Sequence, residues 1–364
     1  MILGEITDIL EALAPLQLAE DFDNVGLITG DPGQEIHGIL VTHDALEAVV
    51  AEAEAKKCNL IVCFHPILFK GIKRLNGSDY VQRALLRAIR SEIAIYAIHT
   101  ALDNVPEGVS GRLAASLGLE NSRVLIPKTA TIEKLVTYVP VKNRQALLDA
   151  LFEAGAGSIG NYSQCSFTTE GSGTFLPGAE ASPAVGAPGS LQEEREAQLH
   201  LTYPGYRRKQ VLAALFATHP YEEVAYEITG TLNTHQHQGM GMIGELPKPM
   251  EVTAFLRHLR TRLGTPAIRY SNPPGKRIGK VAVLGGSGAF AIEAAKRAGA
   301  DALVTADLKY HDFFQGEDSL LLADVGHFES EQFTKNLLHE YLTEKIANFA
   351  IHLSEVNTNP VNYF

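Results

Sequence analysis

Apolar positions along this chain follow two rhythms. Residues 5–18 carry apolar side chains at helical spacing, and GILVT (38–42) is a short apolar run. ALEAVVAEAEAKK (45–57) is helical again, NLIVCF (59–64) is a second run, residues 79–91 are helical, and EIAIYAIHT (92–100) is a third run. Near-continuous apolar strands separated by helices predict a parallel α/β sheet covered on both faces.

From about residue 127 the order changes. KLVTYVPV (134–141) reads as a strand, NRQALLDALFEAG (143–155) as a helix and CSFTTEG (165–171) as a strand. AQLHLTYP (197–204) is then a strand, YRRKQVLAALFATH (206–219) a helix and VAYEITG (224–230) a strand. This βαββαβ order predicts a ferredoxin-like unit over 127–237. Within it, the first part of FLPGAEASPAVGAPGSLQEERE (175–196) reads as a loop. After THQHQGMGMIGEL (234–246) the α/β rhythm returns, with strands at 280–286, 301–307, 319–326 and 348–354 and helices at 251–263, 289–299 and 328–347. The expected fold is therefore α/β: a lobe over 1–126, the α+β insert, and a second lobe over 238–364.

Composition narrows the function classes. Hydrophobic residues at 45% and charged residues at 20% exclude wholesale disorder. Asp and Glu (42) exceed Lys and Arg (31), and the net charge of −11 argues against nucleic-acid backbones and anionic membranes as partners. No apolar run approaches the ~20 residues of a spanning helix, and MILGEITDILEALAPL lacks the basic start of a signal peptide. Three cysteines, Cys58, Cys63 and Cys165, form an odd, sparse set that predicts reduced thiols and a cytoplasmic protein.

Metal-capable side chains gather where apolar strands end. His65 follows IVCF, His99 and Asp103 follow AIYAI, Asp307 follows ALVT, and Asp324 and His327 follow SLLLA. In open parallel sheets ligands bind at that edge. In DVGHFESE (324–331) a helix opening at Phe328 would put His327 and Glu331 on one face, four residues apart. HTALD (99–103) and DLKYH (307–311) repeat the spacing, but they follow strands, so the helical argument does not carry over by itself. Imidazole nitrogen with carboxylate oxygen suits Zn, Mn, Fe or Ni. LGGSGAFA (284–291) fits two readings, a phosphate-binding dinucleotide loop or a tight strand-to-helix turn. In HPYEEVAYEI (219–228), His219, Glu222 and Glu223 fit either a cation site or a solvated turn.

Several motifs in order carry a resemblance over nearly the whole chain. They are DFDNVGLITGD (21–31), HPILFKGIKRLNG (65–77), YAIHTALDNVPEGV (96–109), VLGGSG (283–288), TADLKYHD (305–312), DVGHFESE (324–331) and TNPVNYF (358–364). The chain resembles the Nif-three-like family of dinuclear-metal, ring-forming hexamers, often labelled GTP cyclohydrolase 1 type 2 homologues. GAGSIGNYSQCSF (155–167) and HPYEEVAYEI resemble the PII-like or copper-tolerance-like insert of its longer members. The resemblance implies two facing lobes, a homohexamer, and one or two divalent transition metals per chain held by His65, Asp103, His327 and Glu331. His99 and Asp307 are then candidates for orientation or proton transfer.

One position departs from the family's pattern. The family carries two adjacent histidines before the Pro, where this chain has Phe64-His65. His43 ends the preceding strand run, at a position the resemblance makes apolar, and successive strands of a βαβ unit lie side by side. Two readings follow: His43 replaces the missing imidazole, or it is a strand-end residue bonded to Asp44 or solvent.

Three function classes remain. The leading one is a metal-dependent hydrolase of a nucleotide or similar small substrate. The second is a non-catalytic metal-binding scaffold or regulatory protein with a ligand-sensing insert. A nucleotide-binding oxidoreductase using the GGSG loop is the third.

Overall fold

A computed structural model describes residues 1–364. The apolar runs become the inner strands of two sheets. In the first, the strand order is Gly26–Thr29, Ala94–Ala97, Leu60–His65, Ile39–Asp44 and Ile351–Leu353. Leu60, Val62 and Phe64 face the helices Leu3–Leu13 and Thr334–Lys345, whereas Ile61 and Cys63 face Glu47–Ala55 and Tyr80–Arg90. Both faces are covered, which is why the runs 39–41, 60–64 and 94–97 are apolar at successive positions rather than at alternate ones.

The second sheet runs Arg269–Tyr270, Leu321–Asp324, Ala302–Ala306, Ile278–Ser287, Thr234–Met250 and Glu120–Thr129. Its faces are covered by Val109–Ser116 and Val252–Leu263 on one side and Ile292–Arg297 on the other. Neither sheet is wholly parallel. Gly26–Thr29 pairs antiparallel with Ala94–Ala97, Arg269–Tyr270 with Leu321–Asp324, and Thr234–Met250 with Ile278–Ser287.

The two sheets do not follow the halves of the chain on either side of residues 128–236. Helix Val109–Ser116 and strand Glu120–Thr129 build the second lobe, while helix Thr334–Lys345 and strand Ile351–Leu353 close the first. Each lobe thus buries apolar surface contributed by the other half of the sequence, and the two form one compact unit, 1–127 with 237–364.

Residues 128–236 form a second compact unit. Its sheet, ordered Phe167–Phe175, Gln192–Pro204, Ile132–Pro140 and Tyr226–Gly230, is antiparallel throughout. Helices Arg144–Glu153 and Arg208–Thr218 pack on it through Leu147, Leu151, Val211 and Leu215. Numbered within the unit, the order 2-3-1-4 with two crossover helices is the split βαβ arrangement. Residues 176–191 carry no strand or helix.

Candidate metal centre

Both sheets present the C-terminal ends of their parallel strands to one place. Asp44 and His65 are register partners on adjacent strands of the first sheet. Beyond the next strand, His99–Asp103 makes one helical turn, so His99 and Asp103 do share a face. Asp23 pins that turn: its carboxylate accepts from Thr100 N at 3.1 Å and Thr100 Oγ1 at 2.5 Å, and lies 2.8 Å from His99 Nδ1. From the second sheet come Ser287, Asp307 and the helical turn His327–Glu331. Gly326 enters that turn at φ 95°, a conformation glycine adopts without strain. Ser330 then accepts Gly286 N–H at 2.9 Å and fastens the turn to the GGSG segment.

The centre is built around one oxygen. Glu331 Oε2 lies 3.2 Å from His327 Nε2, 3.3 Å from His65 Nε2 and 3.4 Å from His43 Nε2. Each imidazole is held at its other nitrogen by a carboxylate. His65 Nδ1 is 2.9 Å from Asp44 Oδ1, His43 Nδ1 is 3.1 Å from Asp44 Oδ2, and His327 Nδ1 is 2.6 Å from Asp307 Oδ2. A carboxylate on Nδ1 fixes the ring and turns the Nε2 lone pair inward, as at metal-bound histidines. His65, His327 and Glu331 form one compact donor group, and His43, Asp44 and His65 form another.

Burial and charge fit a cation. Burial alone would raise the Glu331 pKa, but the surrounding imidazoles hold it well below the usual carboxylate range. Burial opposes protonation of His65 and His327, yet their carboxylate neighbours push them up to about 9 and about 10. Asp103 moves the other way: burial and the nearby Glu331 charge raise it well above the ordinary value. A carboxyl in that position gains most from a cation that neutralises the cluster. Glu331 Oε2 and His43 Nε2 are also buried with no hydrogen-bond partner. Donors ~2.0–2.2 Å from one tetrahedral cation stand roughly 3.3–3.6 Å apart, close to the spacings around Glu331 Oε2. These residues fit a divalent transition metal.

His65, His99, Asp103, His327 and Glu331 line one cavity of about 470 Å³, and Phe22, Phe69, Tyr80 and Phe290 form much of its apolar wall. Asp307 stands behind His327 and also accepts from Ser287 Oγ. Asp324 has a different task, taking Leu308 N–H at 3.0 Å and pairing with Arg269. His311 is exposed and packs between Tyr310 and Phe314, so the spacing in DLKYH makes no donor pair.

The structure decides between the readings of the GGSG segment. A Cβ on Gly286 would lie 2.3 Å from Glu331 Oε1, so this glycine makes room for the carboxylate. The helix that follows, Ile292–Arg297, has six residues and is preceded by a short 3₁₀ turn, too little for a dinucleotide loop. His219 is buried, with Nε2–H donating to Tyr138 O and Nδ1 accepting Tyr221 N–H, and Glu222 accepts from Ser182 N, so HPYEE is a structural turn. Cys58 and Cys63 are buried free thiols, and burial raises the pKa of both. No helix is long and apolar enough to cross a membrane.

Asp44 and Asp23 are not among the candidates drawn from strand ends and helical spacing. Asp23 lies in DFDNVGLITGD, and Asp44 accepts from Thr358 Oγ1, at 2.5 Å, in TNPVNYF. Those two motifs therefore serve the centre by holding its histidines. The adjacency of His43 and Asp44 at a strand end was the available signal.

Comparison with known proteins places this architecture. A Bacillus subtilis (strain 168) protein called "GTP cyclohydrolase 1 type 2 homolog" is 34% identical over 372 residues, covering 99% of this chain and 98% of its own. A Mycobacterium tuberculosis protein of the same description is 36% identical over 335 residues, covering 90% of this chain and 88% of its own. The crystal structure of a Bacillus cereus protein related to NIF3 superposes with a TM-score of 0.87 at 34% identity, covering 100% of this chain and 99% of that one. The sequence profile of Duf34/NIF3 (NGG1p interacting factor 3) matches residues 1–360, and the chain belongs to that family.

Proposed function

We propose that this protein is a metal-dependent hydrolase of a nucleotide or similar small planar substrate, working as a homohexamer. The observation that carries this reading is the convergence of three carboxylate-held imidazoles on Glu331 Oε2, beside a cavity of small-molecule size. His65, His327, Glu331 and Asp103 would hold the ion, one of Zn, Mn, Fe or Ni, as one or two per chain. When bound, the ion supplies Lewis acidity toward an electrophilic carbon or phosphoryl group.

The chain's own groups supply the rest. Phe22, Phe69, Tyr80 and Phe290 are exposed aromatics on the cavity wall, suited to stack a planar heterocycle and exclude water. His99 donates Nδ1–H to Asp23, which burial would raise but which His99 and Thr100 hold at about 2. Asp23 thus stays ionised, and His99 Nε2 is left to take or return a proton in the cavity. The relatives' description points to opening of the guanine ring of GTP with loss of formate, a reaction that consumes water. The test is metal-loaded protein incubated with a panel of nucleoside triphosphates, following formate and the change in base absorbance. Turnover that requires metal and falls at least about 100-fold in Asp103→Asn supports the proposal. No product from any nucleotide with Zn, Mn, Fe or Ni would overturn it.

One observation favours a second reading, a non-catalytic metal-binding regulator with a ligand-sensing insert. The 128–236 unit has its own cavity of about 500 Å³, lined by Tyr138, Phe175, Glu196 and Tyr221. Saturable binding of a metabolite to this unit, with no turnover by the metal centre, would favour that reading.

A further inference from the structure

His43 is 3% exposed, and its two ring nitrogens have different surroundings. Nδ1 rests 3.1 Å from Asp44 Oδ2. Nε2 lies 3.4 Å from Glu331 Oε2, and neither atom has a hydrogen-bond partner. Burying two polar atoms without a hydrogen bond is unfavourable, and these two meet only as an ion pair at 3.4 Å. They stand at the separation of two donors directed at a third, shared atom.

The ring is also held in place by its neighbours. Its centroid is 5.5 Å from that of Phe64, 5.4 Å from Phe328 and 4.6 Å from His65. With the rotamer packed on three sides and Nδ1 fixed by Asp44, Nε2 has one direction open to it. The register pairs Asp44 with His65, so His43 and Phe64 stand side by side on neighbouring strands, facing the same side of the sheet. Phe64 is fully buried and offers no donor.

We propose that His43 is a metal ligand, supplying through Nε2 the imidazole that position 64 lacks and sharing its ion with Glu331. This rests on the centre binding metal, and it assigns a donor specific to chains with this His43–Phe64 pair. The ion is a divalent transition metal of the class imidazole and carboxylate favour together.

The experiment compares wild type, His43→Phe, and the exchange His43→Phe with Phe64→His. His43→Phe keeps an aromatic ring in the packed slot and removes only the donor. Each purified protein is loaded with Co²⁺ alone, gel-filtered, assayed for metal per chain by elemental analysis, and titrated against a chelator while its visible absorbance is recorded. We expect folded His43→Phe to lose one equivalent, or to bind its weakest ion at least about tenfold less tightly, with altered visible bands. The exchange should regain the lost ion. Wild-type content, affinity and spectrum in His43→Phe would overturn the assignment and leave the metal reading standing. A folded exchange variant as depleted as the single variant would also overturn it. Wild-type protein that takes up no Co²⁺ would overturn the metal reading and this inference with it.

Discussion

Asp44 and His65 are register partners on adjacent parallel strands, and Asp44 Oδ1 lies 2.9 Å from His65 Nδ1. The other oxygen, Oδ2, takes His43 Nδ1 and Thr358 Oγ1. One carboxylate therefore orients two imidazoles and fastens the C-terminal segment. Burial opposes its ionisation, but the two histidines hold its pKa far below the usual range, so it stays charged. Asp44→Asn should keep the fold and weaken metal binding by about 10–100-fold, because both rings lose the partner that sets their tautomer. A chelator-competition titration reads this directly; an unchanged affinity would mean that Asp44 does not position the ligands.

Gly286 is where backbone and chemistry meet. It sits at φ 68°, and an added methyl would come within 2.3 Å of Glu331 Oε1. Gly286→Ala should displace Glu331 and reduce metal content as well as stability. Gly299 makes the control, because it has φ 72° but nothing within 4 Å of an added Cβ. Its Ala variant should cost about 1 kcal/mol from backbone strain alone and leave metal content intact. Denaturant titrations with elemental analysis separate the two, and equal metal content in both variants would contradict this account.

The 128–236 unit closes its own sheet and core. Pro127 and Gly239 are backbone neighbours, since a Cβ on Gly239 would lie 2.8 Å from Pro127 Cα. A chain joining Pro127 to His237 through a short Gly/Ser linker should fold, keep the oligomeric state that the full chain shows and retain wild-type metal stoichiometry. Light scattering and elemental analysis check both; an insoluble or metal-free product would show that the insert supports the core.

His219 should make the insert acid-sensitive. Burial depresses its pKa below the ordinary histidine value of 6.5, and the geometry fixes the neutral ring. Nε2–H donates to Tyr138 O at 2.8 Å, and Nδ1 accepts Tyr221 N–H at 3.2 Å. The unfolded chain therefore binds this proton at higher pH than the folded one. The contribution is complete above about pH 6.5 and is lost as pH falls through the depressed folded value. Hydrogen exchange at the Tyr221 amide, corrected for its intrinsic rate, should lose protection as pH falls below about 6.5 and His219 takes its proton. Protection that stays constant down to the acid unfolding of the protein would contradict this assignment.

Much of the fold is legible because two-sided burial leaves an unmistakable trace. The runs 60–64 and 302–304 are apolar throughout because helices cover both faces of their sheets. Strand Thr234–Met250 leaves no such trace. Its residues THQHQGMGMIGELPKPM mix polar side chains and three glycines, and only its middle is buried. Strand Glu120–Thr129 is an edge strand with an exposed polar start and Pro127, so its pattern resembles a loop. The exchange of terminal elements between lobes depends on long-range pairing, such as Ile351 with Ile39, which no local pattern encodes.

The centre is legible to the same extent and for a related reason. Helical spacing relates His327 to Glu331, and strand ends mark His65, His99, Asp103 and Asp307. Asp23 and Asp44 act on rings 76 and 21 residues away, respectively, and such distances carry no periodicity. Phe64 shows the converse. Against the motif that the resemblance implies, a donor is missing at position 64, whereas the ring beside it on the neighbouring strand acquires meaning only when its Nε2 is seen beside Glu331 Oε2.

The most direct test of the account is an anomalous diffraction map recorded at the absorption edge of the metal that copurifies with the protein. The account predicts a peak within ~2.0–2.2 Å of His65 Nε2, His327 Nε2 and Glu331 Oε2. Metal-replete crystals with no peak at that position, or with density only at sites remote from Glu331, would contradict it.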